Sequence, residues 1–185
     1  MESLRFTEAE LAALIAETVS WCREQREKFL PSSTPLDEAQ KIELNPFFTK
    51  EILDRFRIVN LSNTGKTIPY PPFYEKVRAG GTRSVPDAAH MTAMPFLDVT
   101  VFNVEPVLRS LFHNLVHFTQ IEIVGLEEVI KCYFRTLGES GQWVVVPFEE
   151  QAYHLDARYT RAPADIFSVE EEVREWLRSG RFRKE

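Results

Sequence analysis

EPVLRSLFHNLVHFTQI, residues 105–121, is the stretch from which the rest of this chain is read. It has no internal breaker after Pro106 and is apolar nearly all round, so it predicts a buried helix over Glu105 to Ile121. Two of the chain's four histidines, His113 and His117, stand four residues apart within it, which places both imidazoles on one helical face. Gln120 lies on the same face. Two histidines so spaced can hold one tetrahedral metal ion without bending the helix. The other reading is a pair of core histidines with hydrogen-bond partners. Packing them without a metal leaves as many as four ring nitrogens to satisfy, at about 1–3 kcal/mol for each one unmet.

Upstream, Phe96 to Asn103 (FLDVTVFN) is rich in branched and aromatic residues and reads as one strand. On that reading Phe96, Asp98, Thr100 and Phe102 share a face, with Leu97, Val99 and Val101 on the other. Downstream, a second helix is expected over Leu126 to Leu137. A turn at Gly138 to Gly141 then leads to a short extended piece, Gln142 to Val146. Pro147 suits the first position of another helix, running to about Tyr159. A last helix begins near Ser168, with Glu171 three residues on, and ends at Gly180.

The N-terminal part opens on a long helix, Glu8 to Phe29, capped by Thr7 with Glu10 completing a capping box. Its apolar face carries Leu11, Leu14, Ile15, Val19 and Cys22. Pro31 to Pro35 reads as a turn, Thr49 to Phe56 as a helix and Arg57 to Leu61 as a strand. Residues 62–90 hold the densest run of prolines and glycines and read as a long surface loop, with one helical turn at Phe73 to Val77. The whole is expected to be a mostly helical α+β domain with a small antiparallel or mixed sheet, spanning residues 1–185 as one unit.

Composition narrows the function classes. Hydrophobic residues are 44% of the chain, enough for a core, and charged residues are 27%, which argues against a largely disordered chain. A net charge of −6 and a pI near 5.4 disfavour non-specific binding to nucleic acid or to anionic lipid. The basic residues Arg178, Arg181, Arg183 and Lys184 read as a solvated tail. Phe112, Phe118, Tyr133, Phe134 and Trp143 read as core rather than as a stacking platform, and His90 as a loop residue. Cys22 and Cys132 fit helical apolar patterns and are expected to be reduced. The N-terminal MESLRFTEAE has no signal-peptide core, and no apolar run approaches the roughly 18 residues needed to span a bilayer. Cytoplasm is therefore the expected location.

A third ligand is to be sought in Pro147-Phe148-Glu149-Glu150-Gln151-Ala152-Tyr153-His154. Glu149 and Glu150 point about 100° apart, so at most one faces the histidines. Glu149 is preferred, with Glu150 and His154 as alternatives; small Ala152 would let the two helices approach closely.

His113-Asn114-Leu115-Val116-His117-Phe118-Thr119-Gln120 resembles the H-E-x-x-H-x-x-Q helix of zincin-type metalloproteases. Pro147-Phe148-Glu149-x-x-Ala152-Tyr153 resembles the E-x-x-A helix that supplies the third ligand in the glutamate-type zincins. The resemblance covers roughly residues 92–160. It implies a zincin-like fold, one zinc ion held by His113, His117 and Glu149, and a cleft bordered by the preceding strand. That cleft would take a peptide or a small acid. Tyr153 is then a candidate donor to a bound oxyanion.

One position departs from the family. The residue after the first histidine is Asn114 where the family has its general-base glutamate. An amide cannot take up and return a proton, so the resemblance implies peptidase activity that is lost or strongly reduced. The alternatives are an active metallohydrolase drawing its base from Glu122, Glu149, Glu150 or His154, and a non-metal structural or interaction domain.

Overall fold

A computed structural model of the chain describes residues 6–79, 87–140, 142 and 145–182. In chain order the elements are α1 (Glu8–Phe29), β1 (Thr34–Pro35), α2 (Glu38–Leu44), α3 (Lys50–Arg55), β2 (Arg57–Asn60) and α4 (Tyr74–Ala79). Then follow β3 (Ala93–Phe96), β4 (Val99–Phe102), α5 (Leu108–Val124), α6 (Leu126–Ser140), α7 (Pro147–Arg161) and α8 (Val169–Arg178). This is a mostly helical α+β fold, and its one small sheet is mixed. The strand order is β1-β2-β4-β3, with β2 and β4 parallel and both outer pairs antiparallel.

The sheet divides two cores because side chains alternate across it. Ile58 and Phe102 face the cluster built on α5, α7 and α8, with Leu111, Leu115, Phe148 and Val173. Val59, Val99 and Val101 face the cluster built on α1, α4 and α6, with Leu14, Trp21, Tyr74 and Phe134. The capping box of α1 is present: Glu10 N donates to Thr7 Oγ1 while Thr7 N donates to Glu10 Oε2. Ser168 caps α8, accepting from Glu171 N. Neither Cys22 nor Cys132 forms a disulfide among the described residues. Among the described residues no helix is long and apolar enough to cross a membrane.

The stretch Phe96 to Asn103 is not one strand but the second half of a hairpin. Leu97 and Asp98 form its turn, Leu97 in the left-handed region at φ 58°. Phe96 pairs directly with Val99 and packs with Val99 and Val101, so it lies on the face opposite to Phe102. No glycine or proline marks this turn. What holds it is a clamp from α1: Arg26 donates from Nε and Nη2 to the two carboxylate oxygens of Asp98, at 2.8 and 2.9 Å. Phe96 is wedged against Trp21 and Phe29 of the same helix.

That clamp has a pH signature. Burial opposes ionisation of Asp98, but the bidentate bonds and the charge of Arg26 outweigh it and set its carboxyl below the usual range. A carboxyl whose folded-state value is depressed stabilises above its unfolded value, near pH 4, and loses that contribution as pH falls further. Asp98→Asn is therefore expected to lower stability to urea at pH 7, with the gap from wild type closing below about pH 4. A gap that stays constant across that range would show that charge is not what the clamp contributes.

Other boundaries shift for local reasons. Helix α5 was expected over Glu105 to Ile121 but begins at Leu108 and ends at Val124. Pro106 disfavours helix at the residue before it. Val107 is extended, with Ser110 Oγ accepting from its N–H. Gly125, at φ 93°, ends the helix and lets α6 start at once. Helices α6 and α7 each run beyond their expected ends, to Ser140 and Arg161. Within Pro31 to Pro35, read as a turn, Thr34 and Pro35 add an edge strand against β2, where proline is tolerated. The expected turn at Phe73 to Val77 is the start of α4. Of the extended piece expected over Gln142 to Val146, Val145 lies instead in a tight turn. Trp143, Gly80, Gly81, Pro86, Arg183 and Lys184 lie outside the described residues.

Candidate metal centre

Helices α5 and α7 pack closely, with fully buried Ala152 on α7. Across this contact His113 and His117 of α5 meet Glu149 of α7. The two Nε2 atoms are 3.1 Å apart, and Glu149 Oε2 lies 3.6 Å from His113 Nε2 and 3.5 Å from His117 Nε2. These three residues form a group able to share one cation. Glu150 and His154, one and five residues further along α7, are exposed and outside the group. His90 is exposed beside Asp87.

The remaining ring nitrogens are spoken for. His113 Nδ1 lies 3.0 Å from Asp156 Oδ2, a carboxylate oxygen that can only accept. His117 Nδ1 lies 2.9 Å from Gln120 Oε1. The orientation of that amide is fixed, because Gln120 Nε2 donates to the carbonyl of Phe148 and to Gln151 Oε1. Gln151 is oriented in turn by donating to the carbonyl of Glu172 on α8. Both imidazoles therefore donate from Nδ1, and a ring that carries only that proton turns an Nε2 lone pair inward. Two such lone pairs and a carboxylate oxygen, three acceptors, converge where a cation is needed.

A proton can fill part of that role. Burial works against a charged His113, but its hydrogen bonds to Asp156 and Glu149 and their charges more than offset it and take it up to about 9. Burial also opposes ionisation of Glu149, yet the two imidazoles hold it well below the usual carboxylate range. The 3.1 Å between the two Nε2 atoms is a hydrogen-bond length, and the edges to Glu149 are longer. A tetrahedral ion with bonds of about 2.0–2.1 Å sets its ligand atoms about 3.3–3.4 Å apart. The observed edges of 3.1, 3.5 and 3.6 Å straddle that value.

Around the group stand residues whose part here the sequence reading did not foresee. Tyr133 of α6, expected only to fill the core, donates to Glu149 Oε1 at 2.5 Å. Asp156, which orients His113, also accepts from Arg109 Nη2 at 3.0 Å. Spacing held the signal for two of them: Asp156 is seven residues after Glu149, and Arg109 four before His113, so each shares a face with a ligand. Tyr133 and Gln151 carried no such signal.

Asn114 is buried at the cleft, and its Nδ2 donates back to the carbonyl of Ser110 at 2.8 Å. Tyr153 is half-exposed, its ring centroid 4.7 Å from that of His113. Glu122 is turned away, paired with Arg55. The strand that borders the cleft is β3, through Ala93, Met94 and Pro95, and not the stretch Phe96 to Asn103.

No family model matches this sequence, and no curated protein or solved structure matches it either. A reading of the site therefore stands on its own chemistry.

Proposed function

We propose that this chain is a zinc-binding protein, related to the glutamate-type zincins, in which His113, His117 and Glu149 hold the ion. Ordinary peptidase activity is lost or strongly reduced because Asn114 stands at the position of the general base. The observation that carries the reading is the convergence of two imidazole Nε2 atoms and one carboxylate oxygen, with both Nδ1 atoms engaged elsewhere. Two imidazoles and one carboxylate suit zinc, and three protein ligands leave a position for a fourth. The ion would supply Lewis acidity. The protein's own residues do the rest: Asp156 and Gln120 fix the imidazole tautomers, Tyr133 anchors Glu149, and Tyr153 stands where it can donate to a ligand's oxygen.

Elemental analysis of tag-free protein, loaded with zinc and dialysed, tests this. About one zinc per chain is expected, lost in His113→Ala. Protein that retains no zinc after loading would overturn the proposal. The orienting residues make a weaker, separate prediction. Asp156→Asn keeps an acceptor near His113 Nδ1 but removes the charge, and zinc affinity is expected to fall by roughly 10–100-fold in a chelator-competition titration. An unchanged affinity would mean that Asp156 does not tune the imidazole.

A further inference from the structure

The cleft over His113, His117 and Glu149 is strongly two-sided. Its volume is about 540 Å³, within the range of pockets that enclose small organic ligands. One end is polar, with the three candidate ligands, Asn114, Tyr153 and Arg109. The rest of the wall includes Trp21, Phe73, Ile130 and Phe134, which belong to one apolar cluster with Met91 and Met94 packed against it. Two of the polar groups in that wall are already quiet, while the Trp21 indole and the Tyr74 hydroxyl also belong to the lining. Thr18 Oγ1 donates to the carbonyl of Leu14, and the Cys22 thiol, pushed up to about 12 by burial, stays uncharged. Trp21, Cys22 and Phe73 lie outside the part of the chain that resembles the zincins, so this chamber belongs to the present sequence.

Charge defines the head group. With neutral imidazoles and a divalent ion in place, the ion and Arg109 outweigh Glu149 and Asp156 by a single positive charge. A monoanion brings the polar end to neutrality, whereas a dianion or a cation does not. Arg109 spends one Nη on Asp156 and keeps a half-exposed side chain at the cleft, with donors left for a second carboxylate.

We infer that the cleft binds a monocarboxylate with an apolar tail, its head at the ion beside Arg109 and its tail between α1, the segment around Phe73, β3 and α6. This rests on the metal reading above and names the ligand class for the same site. The full chain, zinc-loaded and with zinc content measured on the same sample, is titrated by calorimetry with straight-chain carboxylates of increasing length. Affinity is expected to rise about fourfold per methylene until the chamber is filled. Primary alcohols of equal length are expected to bind at least about tenfold more weakly, since they lack the charge. Arg109→Gln is expected to weaken the acids by about tenfold and leave the alcohols unchanged, a split that a merely structural role would not produce. Zinc uptake with no length dependence, or with alcohols binding as well as acids, would overturn the ligand class alone. Failure to take up zinc would overturn both the ligand class and the reading of the site.

Discussion

Asn114→Glu, zinc-loaded, is expected to cleave unstructured peptides at least about 10²-fold faster than wild type, and by as much as about 10⁴-fold. The expectation follows from what the side chain at that position can do. Asn114 lines the cleft one residue after His113, and its amide is spent partly on the carbonyl of Ser110. An amide holds a neighbour in place but does not accept a proton and pass it to a leaving group; a carboxylate does both. The substitution nearly preserves shape, adding one methylene and exchanging a donor for a charge. It brings a second carboxylate close to Glu149, a repulsion that the divalent ion offsets. Zinc content and peptide turnover must therefore be measured together. Equal zinc with unchanged turnover would show that the site lacks more than its base. Efficient turnover by wild type would show that another group already serves.

Glu149→Gln is expected to lower zinc affinity by more than the roughly 10–100-fold assigned to an orienting residue, because it removes a direct ligand and its charge. The fold should survive. Glutamine is isosteric, keeps an oxygen for Tyr133 to donate to, and offers amide hydrogens to the two Nε2 atoms that otherwise face only an acceptor. Thermal unfolding reads the loss. At a zinc concentration about 100 times the dissociation constant, binding stabilises wild type by about 2.7 kcal/mol. For a chain of this size that corresponds to a rise in Tm of roughly 5–10 °C. The variant should show no such rise at the same zinc concentration, each protein being compared with its own zinc-free Tm. An equal zinc-dependent rise in both proteins would remove Glu149 from the site.

Much of this architecture is legible in the sequence because local patterns agree with their environment. The capping pairs Thr7/Glu10 and Ser168/Glu171, and Pro147 at a helix start, mark ends that the chain obeys. Helical spacing alone puts His113 and His117 on one face. The angular step between adjacent residues lets only one of Glu149 and Glu150 face the histidines, and small Ala152, on the face of Glu149, favours the first. What the sequence conceals is non-local. The turn at Leu97–Asp98 has no turn residue of its own and is held from Arg26, far away in the chain. The short strand β1 exists only because β2 offers it an edge. Tyr133 reaches Glu149 from a different helix, and nothing in its neighbours distinguishes it from a core aromatic. The apolar chamber is likewise a product of assembly, since its walls come from segments spread between Trp21 and Phe134.

X-ray absorption at the zinc edge of the loaded protein tests the central claim most directly, because it reports which atoms surround the ion. The account predicts two imidazole nitrogens at about 2.0–2.1 Å with oxygen at about 2.0–2.2 Å, and loss of the imidazole signature in a His113→Ala, His117→Ala double variant. A sulfur shell near about 2.3 Å, or a spectrum unchanged in the double variant, would contradict it.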